Sequence, residues 1–184
     1  MKEHLSRTAH KKAEYTRQNF YAWLFVLIQA FAVLALLFLL VLSPVRVNGG
    51  SMSPTLLPGE VLLVDRLSLY LRMPQRGDMV IFSHPETGEE LIKRIIALPG
   101  ETVEITGGHV YVNGCLLDES AYAPAEAETY SPVVVSEGAV FVLGDDRGQS
   151  MDSRDPALGC IPIARLDGRV RLRVSPLTRA ALFV

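Results

Sequence analysis

The sequence predicts a mainly β protein preceded by one N-terminal transmembrane helix. Two observations lead to this fold class. Beyond residue 42 the apolar residues fall in short runs separated by Gly and Pro, with no long segment of 3.6-residue period. Before that point, residues 22–42 form one apolar run in which Gln29 is the single polar residue.

The apolar run has the length of a membrane span. A helix over 21–42 covers roughly 30 Å at about 1.5 Å per residue, which matches one hydrocarbon core. A cleaved signal peptide is the alternative, but its apolar run is shorter, about 7–15 residues, and ends in a small-x-small site. Leu42-Ser-Pro-Val-Arg46 contains no such site. We therefore expect a basic tail over 1–20, an uncleaved anchor over 21–42 and a single outer domain over 43–184.

The charges on either side of the run predict its orientation. The tail has five basic and two acidic side chains, a net +3, whereas the twenty residues after the run carry only Arg46 and Glu60. Positive charge stays cytoplasmic, so we expect a single-pass plasma-membrane protein with its body outside the cytoplasm. The whole chain has a net charge of −2, which leaves about −5 on the body, so a nucleic-acid partner is not expected.

The outer body is predicted to be built of short strands. Thr102–Ile105 and His109–Val112 flank Thr106-Gly107-Gly108, a hairpin signal. The largely polar stretch 118–137 is expected to be a surface excursion between strands. The remaining predicted strands are 61–64, 78–82, 91–97, 139–143 and 168–174.

Cysteine content and motif spacing give no sign of a metal or cofactor. Cys115 and Cys160 could form one bridge in this compartment, but two buried thiols are favoured, because nothing local indicates pairing. Spacings such as CxxC and HExxH do not occur. We therefore expect chemistry that needs no cofactor.

A serine and a lysine are the candidate catalytic pair. Ser51 ends the turn Asn48-Gly49-Gly50, where a nucleophile could stand exposed beside a free backbone N–H; an ordinary loop serine is the alternative. Lys93 is the only lysine after Lys12, against twelve arginines, and it lies within the apolar run Leu91–Ala97. Burial lowers a lysine pKa, so that a neutral amine can act as a base. An edge-strand lysine facing water is the competing interpretation.

A third segment, Gly144–Arg154, is rich in hydrogen-bonding side chains. It could supply the group that orients the base, and a serine hydroxyl there could do so without restoring the lysine charge. A solvated turn of mixed charge is the alternative. His84 and His109 could in principle serve a Ser-His pair, but neither lies in a motif. The apolar segment 67–73 either rests on the bilayer or packs in the core, and the C-terminal 180–184 is expected to be a packed tail.

Together these segments resemble the bacterial type I signal peptidase family, in the Gram-positive-like form with one N-terminal anchor. Ser51-Met-Ser-Pro-Thr55 resembles the family's serine box, and Arg76-Gly-Asp78 its next box. Lys93–Glu101 resembles its lysine box, and Gly144–Arg154 its last box. The boxes occur in the family's order, and the resemblance covers residues 20 to about 175.

The resemblance implies a role for each matching position. Ser51 is the nucleophile, Lys93 the general base and Ser150 the residue that orients the lysine. Two positions depart from the pattern. Gly49 stands where some members carry a serine that assists the oxyanion, and Asp146 stands where Asn is usual. Residues that hold the site together are Asp145, Asp152 and Arg154; residues at the substrate cleft are Met52, Leu62, Ile81 and Ile92.

The resemblance also implies a fold and a function: a β catalytic core with a small β insertion, which removes N-terminal signal peptides from secreted preproteins. The expected partners are the membrane lipid and preproteins with small residues one and three places before the cut, bound as an added β-strand. A self-cleaving Ser-Lys repressor is the nearest alternative, although no helix-turn-helix is present. A catalytically silent, membrane-anchored binding module is another, against which the intact Ser51, Lys93 and Ser150 argue.

Overall fold

The computed structural model describes residues 19–36, 41–123 and 128–183. The chain divides into an N-terminal unit that ends at Val41 and a body that begins at Leu42. In the first unit, helix α1 (Asn19–Leu36) is long and apolar enough to cross a bilayer. Residues 1–18 of the predicted tail and 37–40 of the predicted anchor lie outside the described residues.

The body consists of two antiparallel sheets. The large sheet has the strand order β1-β2-β11-β3-β4-β9-β10, with β12 paired to β11, and the small sheet has the order β7-β6-β5-β8. One short helix, α2 (Ser68–Leu71), follows β2. The strands are β1 Leu42–Arg46, β2 Val61–Asp65, β3 Met79–Ser83, β4 Glu90–Ala97, β5 Thr102–Thr106, β6 His109–Val112, β7 Cys115–Leu116, β8 Tyr130–Val134, β9 Ala139–Leu143, β10 Ile161–Pro162, β11 Leu166–Ser175 and β12 Ala181–Leu182.

The large sheet is covered on both faces. Met79 and Ile81 of β3 pack in one apolar cluster with the loop after β1, whereas Val80 and Phe82 pack in a second cluster on the other face. Successive side chains of a strand point to opposite faces, so a strand buried on both sides has a continuous apolar sequence. A third cluster joins β4 and β9 to the small sheet. Strand β4 lies between β3 and β9, so it is internal rather than an edge strand.

The structure confirms the mainly β fold, and every predicted strand and the hairpin are present. The interpretation of 118–137 as a surface excursion is wrong in part. Tyr130–Val134 pairs with β5 and Val135 is buried, so this stretch completes the small sheet. Strand β1 was not predicted from the sequence. It begins at Leu42, the last residue of the range predicted for the anchor.

The structure also tests the predictions made for the two cysteines and for the C-terminal tail. Both thiols are free, as predicted, but neither is fully buried: Cys115 is exposed and Cys160 is half-buried. Cys115 is exposed because β7 is an outer strand of the small sheet. The packed C-terminal tail is confirmed, since β12 pairs with β11 and Phe183 packs against the cluster around Met52.

Candidate active site

Ser51 lies on a tightly anchored loop between β1 and β2. Its neighbour Met52 is 1% exposed and Leu56 is fully buried, so the chain on the far side of the serine is held in the core. Two backbone hydrogen bonds close the turns, from Ser53 N to the Gly50 carbonyl (2.8 Å) and from Leu56 N to the Met52 carbonyl (2.8 Å). The Ser51 N–H meets no hydrogen-bond acceptor among the described residues. The loop therefore presents a serine beside a free backbone donor.

An ionic brace fixes the far end of the same loop. The Glu60 carboxylate is buried and pairs with Arg173 and Arg179 at 3.2 Å each. Arg173 also donates to the Thr55 carbonyl at 2.6 Å, and Arg179 to that of Pro54 at 3.1 Å. Sequence reasoning missed this brace, because its acidic and basic members are more than a hundred residues apart.

Lys93 meets Ser51 directly. Its Nζ lies 2.6 Å from Ser51 Oγ, and the lysine is 1% exposed. The water-facing edge-strand interpretation is therefore excluded. Burial lowers the pKa of the Lys93 amine from 10.5 to about 8, while the nearby Asp152 carboxylate opposes the shift by favouring the ammonium. The amine can consequently lose its proton near neutral pH, which no arginine in the body can do.

Two arginine–aspartate pairs hold the segments around the dyad. Arg94 follows Lys93 and binds Asp145 through two parallel hydrogen bonds of 2.8 and 2.6 Å. Arg154 donates to both oxygens of Asp152 at 2.8 Å. Asp145 and Asp152 are each 1% exposed, so both carboxylates are compensated charges within the core. Such bidentate pairs fix geometry as well as charge.

Asp152 and Asp146 also order the backbone of the segment Gly144–Arg154. Asp152 accepts from Gly144 N at 3.0 Å. Asp146, at the position of the family's usual Asn, caps the short 3-10 helix Arg147–Gln149 by accepting from Gln149 N. Its own N–H donates to the Ser51 carbonyl at 3.1 Å. A main-chain hydrogen bond thus joins the segment Gly144–Arg154 to the loop that carries Ser51.

Ser150 lies against this junction, and Gly144 makes room for it. A Cβ at Gly144 would lie 2.2 Å from Ser150 Oγ and 2.5 Å from the Ser51 carbonyl oxygen, so only glycine fits there. Ser150 Oγ is buried and has no hydrogen-bond partner within the described residues. The structure therefore places this hydroxyl beside the serine loop with its hydrogen-bonding capacity unused. The need for glycine at 144 is a steric requirement that the sequence alone did not reveal.

A cleft of about 230 Å³ opens at the dyad. Its walls are the end of β1 with the following loop, Val45–Met52, and the start of β4, Glu89–Lys93, with Gln149 and Met151 at one side. Of the four predicted cleft residues, Met52 and Ile92 line it. Leu62 and Ile81 are fully buried in the cluster beneath Met52, where they support the cleft from below.

A second group that the sequence did not identify comes from the insertion after β7. Glu119 is buried and forms an ion pair with Arg147, whose Nε also donates to the Gly144 carbonyl at 3.1 Å. The Tyr122 ring lies 4.1 Å beneath the Arg94 guanidinium. Burial raises the pKa of the Tyr122 phenol, so it stays neutral. The Glu128 carboxylate pairs with Arg154. All three residues thus contact arginines that hold the active-site box.

The remaining candidates lie away from the dyad or have other contacts. His84 is buried and its Nδ1 accepts from Glu86 N and Thr87 N, so it stabilises a turn. His109 is exposed at the start of β6. Gly49 has no left-handed φ, and a Cβ there would meet nothing within 4 Å. Within the described ranges, no three His, Cys, Asp or Glu side chains form a group that could hold a metal ion.

Comparison with known proteins shows similarity to signal peptidases. The family model described as "Signal peptidase, peptidase S26" matches residues 20–175. A probable signal peptidase I-2 of Synechocystis sp. is 35% identical and aligns with 99% of this chain and 86% of its own length. A signal peptidase I of Bacillus licheniformis is 35% identical over 86% of this chain and 90% of its own. A solved signal peptidase I from Enterococcus faecalis is 35% identical and matches 53% of this chain and 97% of its own, with a TM-score of 0.46.

Proposed function

The chain belongs to the S26 family of signal peptidases, and from this premise we propose that it cleaves preproteins with Ser51 as nucleophile and Lys93 as general base. It is a signal peptidase I, a serine peptidase that removes signal peptides. One observation carries the assignment of the dyad: the 2.6 Å separation of Lys93 Nζ and Ser51 Oγ inside a desolvated site.

The reaction proceeds through an acyl-enzyme. Ser51 Oγ attacks the carbonyl carbon of the scissile bond while its proton passes to the neutral Lys93 Nζ. The developing oxyanion is stabilised by the free Ser51 N–H. The C–N bond then breaks as Lys93 returns the proton to the leaving amine, which leaves an ester on Ser51. Lys93 next takes a proton from water as the water oxygen attacks the ester, and the C–O bond to Ser51 breaks as Lys93 returns that proton to Ser51 Oγ.

Burial of Lys93 is essential to this cycle. An exposed lysine would stay protonated at physiological pH and could not accept the serine proton. Lys93 is buried and its pKa is lowered to about 8, which provides a usable fraction of neutral amine. The nearby Asp152 favours the ammonium that forms during attack, and its pairing with Arg154 limits that influence. Ser150 is the orienting residue in this scheme: its buried hydroxyl lies at the serine loop with no hydrogen-bond partner among the described residues, so it is free to bond the Lys93 amine when that group moves during the reaction.

The cleft supports binding of the substrate as an extended strand. Strand β1 is an outer strand of the large sheet, and the chain continuing from it lines one wall. A preprotein segment could pair with this wall and direct alternate side chains toward Met52 and Ile92. The cleft is small, about 230 Å³, which favours small residues one and three places before the cut.

The proposed setting is the outer face of the plasma membrane, with the apolar segment before β1 as the anchor and the body extracytoplasmic. The apolar helix Asn19–Leu36 supports this, together with the basic tail that precedes it in the sequence. Protease added outside intact cells should digest the body and spare the tail. Protection of the whole body from that protease would contradict the proposed topology.

Cleavage of a preprotein with an Ala-x-Ala cleavage site tests the proposed chemistry. Wild type should cut once, after the second alanine, whereas Ser51→Ala and Lys93→Ala should each lose nearly all turnover. Ser53→Ala is a matched control, because it removes a hydroxyl from the same loop two residues away and should stay active. Comparable activity in Lys93→Ala and wild type would exclude the dyad.

A further inference from the structure

Glu128 reaches the active-site segment from a separate part of the fold, the chain that leads into β8 of the small sheet. Its backbone carbonyl accepts from Gly108 N at 2.9 Å, at the turn between β5 and β6. Two residues later Tyr130 is the register partner of Ile105 on β5, and the Tyr130 hydroxyl donates to the Ser153 carbonyl at 3.4 Å. The backbone that carries Glu128 is therefore fixed by the small sheet.

The carboxylate of Glu128 shares the Arg154 guanidinium with Asp152. Arg154 donates to both oxygens of Asp152 at 2.8 Å through Nε and Nη2, and its Nη1 pairs with Glu128. Nη2 also donates to the Arg147 carbonyl at 2.8 Å. The Arg154 side chain is 9% exposed and that of Glu128 is 39% exposed. One buried cation thus faces two carboxylates, so the three groups together carry one excess negative charge.

Lys93 is close enough to this trio to respond to its charge. Burial is the main cause of the lowered pKa of Lys93, and the strongest charged influences on it come from Asp152, which raises the pKa, and Arg154, which lowers it. Glu89, just before β4, and Asp145 also raise it. The balance between Asp152 and Arg154 therefore affects how readily the amine gives up its proton.

Removal of the Glu128 charge would change this balance in one direction. Arg154 would keep its two bonds to Asp152 and its bond to the Arg147 carbonyl, so its position would be retained. Its positive charge would then compensate Asp152 alone, and the excess negative charge would be gone. A site with less negative charge favours the ammonium of Lys93 less.

We propose that Glu128 is a positioning residue that acts on the Lys93 amine through Arg154, by sharing the guanidinium with Asp152 and so leaving negative charge to stabilise the ammonium formed during attack. This inference rests on the proposed role of Lys93 as the general base. The small sheet thereby helps to set the pH range in which the dyad works.

Three substitutions at position 128 separate charge from size. Glu128→Gln keeps the size and removes the charge, Glu128→Ala removes both, and Glu128→Asp keeps the charge on a side chain shorter by one carbon. Glu104→Gln is the matched control, because it removes a carboxylate from β5 of the same sheet, where Glu104 accepts from the Thr106 hydroxyl and has no ion pair among the described residues.

The direct measurement is an NMR titration of Lys93 in the full chain, labelled with ¹³C at lysine Cε and held in detergent micelles. Lys93 is the only lysine after Lys12, and the three lysines of the tail should titrate near the ordinary value of about 10.4. Loss of the signal in Lys93→Arg identifies it. The pH profile of kcat/KM on a preprotein is measured in parallel for every variant except Lys93→Arg.

Glu128→Gln and Glu128→Ala should both lower the midpoint of the Lys93 titration, by roughly 0.5 pH unit because Glu128 is partly exposed to solvent. As a fraction of its plateau, kcat/KM at pH 7 should then rise about two- to threefold. Glu128→Asp and Glu104→Gln should keep the wild-type midpoint, and KM should be unchanged in all four variants, because Glu128 is not part of the cleft walls formed by the described residues.

An unchanged or raised midpoint in Glu128→Gln and Glu128→Ala would overturn the inference and leave the dyad intact. An equal shift in Glu104→Gln would also overturn it, because the effect would not then require contact with Arg154. If one of the two charge-removing variants does not fold, the other decides. A wild-type Lys93 midpoint near 10.4 would instead contradict Lys93 as the base, and the inference with it.

Discussion

Gly144→Ala is the substitution that most sharply separates positioning of the dyad from general stability. The added Cβ would lie 2.2 Å from Ser150 Oγ and 2.5 Å from the Ser51 carbonyl oxygen, about 1 Å inside normal contact. The Gly144 peptide is held by bonds to Asp152 and from Arg147, so it cannot simply retreat. The displacement must therefore be taken up by Ser150 or by the serine loop.

Two separate magnitudes follow from this geometry. Overpacking of this kind typically costs about 1–3 kcal/mol of unfolding free energy. A misplacement of about 1 Å at reacting groups costs on the order of 10²-fold in turnover. We therefore expect Gly144→Ala to lose roughly that factor in kcat, with a smaller change in KM, because the cleft walls at Met52 and Ile92 are not touched.

Gly168→Ala is the matched control. A Cβ at Gly168 would lie 2.4 Å from Val64 Cγ1, a comparable overlap that involves β2 and the residue after it but no atom of Ser51, Lys93 or Ser150. It should cost similar unfolding free energy by denaturant titration and leave kcat close to wild type. Wild-type kcat in Gly144→Ala, or an equal loss in Gly168→Ala, would show that the close approach at Gly144 does not position the dyad.

Three further changes test other parts of the account. Lys93→Arg keeps a charge that cannot be removed, so turnover should fall by at least about 10²–10⁴-fold while the thermal transition remains cooperative; near-normal activity would eliminate the lysine as base. Gly49→Ser fits without strain because the space around the added Cβ is open. A modest change in kcat at constant KM would show that the serine hydroxyl reaches the oxyanion. A change confined to KM would instead place the hydroxyl against bound substrate. Glu119→Gln leaves the charge of the buried Arg147 uncompensated, so it should lower the free energy of unfolding by about 3–5 kcal/mol. Glu90→Gln breaks an exposed ion pair and should lower it by less than about 1 kcal/mol. Equal losses in the two variants would refute the structural importance of the Glu119–Arg147 pair.

The large sheet could be predicted because its strands carry their own signal. Runs such as Ala139–Leu143 are continuously apolar and end at Gly or Pro, which is typical of strands buried on both faces. The same feature made Lys93 conspicuous, because a lysine within such a run is desolvated if the strand is internal. Neutralisation of Lys93 was therefore a hypothesis from the sequence, and the internal position of β4 was needed to exclude a water-facing lysine.

Five strands were not predicted: the two-residue strands β7, β10 and β12, and the five-residue strands β1 and β8, which were missed for identifiable reasons. β8 contains Pro132 and follows a polar stretch, and its pairing with β5 is a tertiary contact that local composition does not encode. β1 begins at Leu42, the last residue of the apolar run, and contains Pro44, which is tolerated because β1 is an outer strand. In both cases the segment is a strand because it pairs with a neighbouring strand, and not because its own sequence has the apolar pattern of a strand.

The supporting charges of the site were only partly predictable. Asp145, Asp152 and Arg154 were identified from a local motif, and Asp152 pairs with Arg154 inside it. Their other partners are distant: Arg94 lies 51 positions before Asp145, and Glu128 lies 26 positions before Arg154. Glu119 and Glu128 come from a stretch that looked like a solvated excursion. Which carboxylate meets which arginine depends on how the strands are brought together, and one sequence does not contain that information.

The pH dependence of kcat/KM on a preprotein substrate directly tests whether Lys93 is the general base. With the pKa of Lys93 at about 8, about one-tenth of the enzyme carries the neutral amine at pH 7 and about nine-tenths at pH 9. Activity is lost as pH falls through that value, so kcat/KM should rise about tenfold between pH 7 and 9 with a single acid limb centred near 8. A limb centred near 4 or 6.5, where a carboxylate or histidine titrates, would contradict Lys93 as the base, and so would a profile that stays flat from pH 6 to 9.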